Sequence, residues 1–345
     1  MKPESVRERV ALAFNLVPRP LGESMLGPLL AKTLIAACAL GVFDALGDSD
    51  KTIEEVAAYC GSDVTATGKL LRALYASGYL KWRNGLYGLT RISERWLVSQ
   101  SPRSIHSAVL HRVLDLRFMD FEQYIRTGEH GDFHRELSQE DWDCYQLGQA
   151  SQSLLLAGEV ARRAPIPAGA SDMLDLGGGA GHFSFALCER YPKLRSRVLD
   201  LVNPLPPDCT AAGFREVHGR VKFEVADVRS AQFGEECADA ILVANVIHHF
   251  DERTNLTLFG RIADALRPGG ILIVLDLTRP DYIGASRQVE ALFDLYFGAA
   301  SGAQLWSLAE IRRWQEVNGM LPLRAKSLRI LPDCKIQAAR KSVPL

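Results

Sequence analysis

The stretch "MLDLGGGAGHFSFALCERYPKLRSRVLD", Met173 to Asp200, constrains the fold more than any other. An apolar run enters Asp175-x-Gly177-x-Gly179-x-Gly181, a helix-like segment follows, and an acid closes the stretch. Glycines at such a turn let the backbone bend sharply and let a ligand approach the main chain. In the G-x-G-x-x-G fingerprint, the helix N-terminus receives a pyrophosphate. Here the third glycine comes one residue earlier, and a carboxylate precedes the first by two. A carboxylate repels a pyrophosphate and suits a ligand with a cationic end. Strands are predicted at 172–176, 196–200, 221–225, 239–244 and 270–276, with helices between them. That alternation is a parallel, doubly wound sheet. The tail reads as two more strands around Pro332–Asp333.

Acids recur at the predicted strand ends. Asp200 closes the second strand, where a carboxylate commonly takes two ribose hydroxyls. Asp227 follows the third strand and can accept from an adenine amino group. Asn245, after the fourth strand, is assigned to the same ligand. With Asp175, Gly177, Gly179 and Gly181, these residues describe a nucleoside site with a cationic end. The expected ligand is S-adenosylmethionine (SAM).

The 345-residue chain is too long for one compact core and is read as three segments. They are a unit at 1–100, a helical stretch at 101–163 and the sheet domain at 164–345, the last opened by the linker "RAPIPAGAS". In the first unit, residues 22–46 read as a helix that is apolar on more than one side, which favours burial against a second chain. Thr52 with Glu55 forms a capping box for a helix ending near Cys60–Gly61. Asp63 or Thr65 caps a second helix ending at Gly78, and a hairpin turns at Asn84–Gly85. This is a winged helix. DNA binding is disfavoured, because its second helix carries only Lys69 and Arg72 as cations and the whole chain has a formal net charge of -1. A dimerisation scaffold is preferred. In 101–163, Phe118, Phe121, Tyr124, Trp142, Tyr145 and Gln149 make either a connecting bundle or a wall over a ligand pocket.

The seven cysteines are scattered without a CxxC pair, so neither a disulfide framework nor a zinc site is expected. The charged start "MKPESVRERV" is not a signal peptide, and "LIAACALGVFDAL" is too short to span a bilayer. A cytoplasmic protein with no membrane or nucleic-acid partner is expected.

Taken together, the winged helix, "YIRTGE", "DLGGGAGHFS", "RVLDL", "ADVRS", "ALRPGGILIVLD" and "FDLYFGAASGAQLWSLAEIRRWQ" resemble a known family. It is the class I SAM-dependent O-methyltransferases with an N-terminal winged-helix dimerisation domain, which include caffeate-type and polyketide-tailoring enzymes. The resemblance implies an α/β fold with a Rossmann-like sheet, an intertwined homodimer and a metal-free site. It also implies a His-Asp-Trp motif after the fourth strand, whose His deprotonates the acceptor hydroxyl. "VIHHFDE" places His248 at that His, His249 at the Asp and Phe250 at the Trp. Imidazole suits the task, with a pKa near working pH. Of the two acids that bracket the base in the family, Asp276 stands at the first, and the second falls on Leu305.

The expected activity is methyl transfer to a hydroxyl, phenolic in type, on a small aromatic or polyketide-like compound. His248 is the base and Asp276 orients it or the acceptor. Tyr145, Gln149, His249, Phe293, Tyr296 and Phe297 are assigned to the acceptor, with His249 turned away from the reacting centre if the segment is extended. Two rivals remain at this point. One is a SAM-binding relative with decarboxylase, hydroxylase or cyclase chemistry. The other is a ligand-responsive transcription factor.

Overall fold

The computed structural model describes residues 5–14, 16–201 and 212–343. Cys209 and the first four residues of the charged start lie outside them. The chain forms two compact units, Met1–Val113 and Leu114–Leu345, so the helical stretch 101–163 is divided between them.

In the first unit, Thr52 and Glu55 close the expected capping box on the helix Ile53–Cys60, and Gly61 ends it in the left-handed conformation. Asp63, not Thr65, caps the next helix, Val64–Ala76, by accepting from the Ala66 N–H. Strands β1 (Leu80–Arg83) and β2 (Leu86–Leu89) pair antiparallel. Asn84 and Gly85 both take positive φ between them, the geometry of the tightest hairpins.

The predicted 22–46 helix is instead Arg19–Ala39, a break at Leu40–Gly41, and a short helix Val42–Ala45. The break falls at Gly41, whose φ of 72° a side chain would resist. Only the end of the long helix is buried within the chain, at Ile35, Ala37 and Cys38. Leu21, Met25, Leu26 and Leu29 are 47–63% exposed. The 21-residue helix Arg19–Ala39 contains an 18-residue window of mean hydropathy 1.2, long and apolar enough to cross a membrane by length and composition alone, a test that helices of soluble proteins also pass.

The second unit is built on β3 (Asp172–Leu176), β4 (Arg195–Asp200), β5 (Val221–Val225), β6 (Ala238–Ala244), β7 (Leu266–Arg279), β8 (Trp306–Ser307), β9 (Met320–Pro322), β10 (Lys326–Ser327) and β11 (Cys334–Lys341). The order is β10-β11-β7-β6-β3-β4-β5, parallel from β7 through β5, with β11 antiparallel to β7. Helices were expected between all the parallel strands. Among the described residues, the β4–β5 connection holds only the 3-10 segment Ala212–Arg220, and the β5–β6 connection has no helix.

Alternation along the strands splits the core in two. Met173, Val198, Leu242 and Ile273 pack on one face with Phe183, Leu187, Leu156 and Val160. Leu174, Leu199, Ile241 and Val274 pack on the other with Phe259, Ile262 and Trp314. The chain starts at β3, winds out through β4 and β5, and returns to β6 on β3's other side. Such a switch point opens a crevice at the carboxyl ends of the strands, where ligands of open α/β sheets bind.

Candidate active site

The glycine turn sits at that crevice. Gly177, Gly179 and Gly181 have φ values of 71°, 52° and 74°. A Cβ on Gly177 would stand 2.3 Å from Val246 Cγ2, so that glycine is required by packing. A Cβ on Gly179 would meet nothing within 4 Å. Gly179 therefore presents bare backbone to open space. Its N–H donates to Asp200 Oδ2 at 2.8 Å, which fixes the acid that ends β4 beside the turn. The bare glycine and the partly exposed Asp200 carboxylate form a cradle whose acid can accept ribose hydroxyls, the fit that SAM asks of this position.

Two of the sequence-assigned acids behave differently from expectation. Asp175 does not face the cradle: it is fully buried beneath the turn, and Oδ2 accepts from Ser184 Oγ at 2.6 Å. It faces the core on the side of Met173, and its Oδ1 has no hydrogen-bond partner among the described residues. Burial, with the charge of Asp200, pushes its pKa up to about 7 against the Ser184 hydrogen bond. Asp227 follows β5, but both its oxygens already receive Arg229, at 2.7–3.0 Å. That pairing holds its pKa below the usual carboxylate range. Asn245 ends β6 in the left-handed conformation, φ 56°, and its N–H donates to Leu275 O.

The raised Asp175 pKa has a measurable consequence. A folded state that binds the proton more tightly than the unfolded one is most stable below pH ~4, and loses that stability as pH rises through about 7. In that window the slope is ~1.4 kcal/mol per pH unit. Asp175→Asn cannot ionise. Its denaturant stability without cofactor is expected to lack this slope, and parallel pH profiles for both proteins would refute the buried acid's role.

Beyond β6 the chain does not run extended. Ile247–His249 is a single 3-10 turn. The Ile247 carbonyl accepts from Asn255 Nδ2 and Trp306 Nε1, both at 3.0 Å, and the His248 carbonyl accepts from the Gln304 N–H. The turn is thus pinned by side chains from two later elements. It presents His248, 6% exposed, to Asp276 near the end of β7, with Nδ1 to Oδ1 at 2.8 Å. The same Oδ1 accepts from the Leu277 N–H. A neutral imidazole beside a carboxylate donates from the nitrogen that faces it, so Nδ1 carries the proton and Nε2 is left as the acceptor. Among the described residues, Nε2 has no hydrogen bond within the protein.

The turn also corrects the placement of His249. Its ring lies 4.1 Å from that of His248, not turned away. Phe297, on the helix Gln288–Ser301, stacks on His248 at 4.6 Å and 7°. Phe293 and Tyr296 lie beside Phe297, at 5.8 and 5.6 Å. Tyr296 is itself buried, its hydroxyl donating to Asp115 Oδ1 at 2.7 Å, so it supports Phe297 more than it faces a ligand. Leu305 is buried and apolar, as its side chain requires, and its N–H donates to Asp294.

One neighbour carries no mark in the sequence. His134, in the short helix Phe133–Glu136, meets His249 edge-on at 5.1 Å and 79°. Tyr145 and Trp142 flank it at 5.9 and 5.8 Å. Gln149, one turn beyond Tyr145 on the helix Gln139–Arg163, is half-buried. Burial lowers the pKa of His134. His249 keeps an open surface, yet protein surrounds its ring closely. That burial, then the charges of His248 and His134, drives its pKa well below the usual imidazole value. Among the described residues, no three His, Cys, Asp or Glu side chains are grouped to hold a metal ion.

Comparison with known proteins identifies the family. Residues 122–313 match the O-methyltransferase domain, and residues 23–99 match the O-methyltransferase dimerisation domain. The 3-hydroxy-5-methyl-1-naphthoate 3-O-methyltransferase of Streptomyces sahachiroi is 28% identical over 279 residues, covering 76% of this chain and 78% of that protein. The bacteriochlorophyllide d C-20 methyltransferase of Chlorobaculum tepidum is 22% identical, covering 82% and 84%. Human N-acetylserotonin methyltransferase, solved in complex with SAM, shares the fold with a TM-score of 0.81 at 21% identity, covering 99% of this chain and 100% of that one. With the O-methyltransferase domain matched over most of the sheet unit and the dimerisation domain over most of the first, the chain belongs to the SAM-dependent O-methyltransferases that carry an N-terminal dimerisation domain.

Proposed function

We propose that the protein methylates a phenolic hydroxyl of a small aromatic, polyketide-like metabolite and works as a homodimer. The observation that carries this reading is the His248–Asp276 pair, with Nε2 unengaged beneath aromatic walls. SAM, held at the Gly179 cradle, supplies an electrophilic methyl group on a sulfonium centre. His248 Nε2 would take the acceptor's proton as the C–O bond forms and the methyl–sulfur bond breaks, its electron pair neutralising the sulfonium, and Asp276 would stabilise the resulting imidazolium through Nδ1–H. Phe297 holds the His248 ring flat, and a ring cation over an aromatic face gains further from that contact. Alignment of acceptor oxygen, methyl group and base is the main contribution to rate. The naphthoate O-methyltransferase relative supports a phenolic acceptor.

The test is incubation with SAM and a panel of phenols, followed by mass spectrometry. S-adenosylhomocysteine and an O-methylated phenol are expected together. Tight SAM binding without S-adenosylhomocysteine across the panel would sink the reading. A methyl group on carbon would move the protein toward the C-20 methyltransferase relative instead.

The dimer follows from the exposed face of Arg19–Ala39, which lies largely within the matched dimerisation domain. Fully burying a leucine is worth about 1.5–3 kcal/mol, so four such side chains on one helix favour a stable interface. Sedimentation is expected to give twice the chain mass. Leu26→Glu with Leu29→Glu is expected to halve it or cause aggregation. An unchanged dimer would clear this face of the role, and wild-type protein recovered in the membrane fraction would assign the helix to a bilayer.

A further inference from the structure

The His134–His249 pair is unused by the chemistry derived above. The two rings meet edge-on at 5.1 Å, and His249 lies 4.1 Å from the base. Among the described residues, neither ring makes a hydrogen bond to another protein group. A neutral imidazole offers one donor and one acceptor. Both rings keep solvent access, His249 the more, so an acceptor can reach these groups by displacing water and supplying the hydrogen bonds itself.

We propose that His134 and His249 form a second recognition point in this site, one that binds an uncharged oxygen substituent, hydroxyl or carbonyl, on the carbon next to the one bearing the methylated hydroxyl. This deepens the phenol methylation reading and rests on it. The spacing supports it. The rings of His248 and His249 are close enough to address oxygens on adjacent atoms of one aromatic ring, and Tyr145 and Trp142 close the far side around His134. Charge supports it as well. Both imidazoles are held toward the neutral form by burial, and His249 also by its neighbours, so they suit a neutral oxygen better than an anion. A protonated His249 beside a protonated His248 would be two like charges in contact, which the transfer step must avoid.

The probes are phenol, catechol, 2-hydroxyacetophenone and salicylate, each with SAM and the full-length protein. The expected kcat/KM for catechol and 2-hydroxyacetophenone exceeds that for phenol by about tenfold for each hydrogen bond gained. His134→Phe and His249→Phe are expected to bring that ratio toward one, mainly by raising KM for the oxygenated acceptors. His134→Gln, which keeps a donor and an acceptor, is expected to retain part of it. SAM affinity by calorimetry and thermal melting check that each variant is folded. A ratio near one in wild type, or an unchanged ratio in both Phe variants, overturns the proposal while leaving phenol methylation standing. Preference for salicylate overturns the uncharged assignment. No S-adenosylhomocysteine from any probe overturns both readings.

Discussion

His248→Ala is expected to cut kcat by roughly 10²–10⁴, the range for losing a positioned acid–base group. SAM affinity is expected to stay close to wild type, because the cradle of Gly179 and Asp200 is built on other elements. The kcat pH profile is expected to lose the limb that reports deprotonation of the base. Two outcomes contradict the assignment. If His249→Ala costs more than His248→Ala, the proton is taken one residue later in the turn. If neither matters, the acceptor ionises unaided, and the Asp276 contact only anchors the turn.

Gly179→Val is expected to abolish measurable SAM binding, the second large effect. Its Cβ would project into the open space that the ligand's approach requires. The left-handed φ of 52° adds local strain of about 1–3 kcal/mol for a non-glycine residue. Strain alone would lower the melting temperature and spare affinity in the folded fraction. Gly179→Ala separates the two, since it carries the φ penalty with less bulk. Calorimetry showing tight SAM binding by a folded Val variant would mean that the ligand does not cross Gly179. Gly177→Ala is a different case: its Cβ collides with Val246, so packing at the turn must shift and a loss of binding would not report ligand contact alone.

What the sequence disclosed and what it hid divide along physical lines. Features set by a few neighbouring residues were legible: the Thr52–Glu55 capping box, the Asn84–Gly85 hairpin, the parallel strands and the glycine turn. So was the pairing of His248 with Asp276, because the family resemblance supplied the long-range partner. Side-chain direction was not legible. Asp175 has the spacing of a ligand contact, but whether it faces the crevice or the core depends on the pleat of β3 against β4 and β6. His249 was misplaced because an extended segment was assumed, whereas Asn255 and Trp306 draw the Ile247 carbonyl into a tight turn. His134 left no trace: it sits in an irregular stretch with no periodicity, and only packing brings it to His249.

On the proposed reading Phe297 both lines the acceptor's site and supports the base, so its stacking on His248 would tie substrate choice to catalytic competence. Anyone re-engineering this pocket for a bulkier acceptor would first trim the aromatic wall. Trimming it at Phe297 frees the base from its flat support, so wider scope would come with slower turnover. Phe293 stands one helical turn earlier, 37% exposed and without ring contact to the histidine. On the same reading it is the position where acceptor range would be widened while the base keeps its seat.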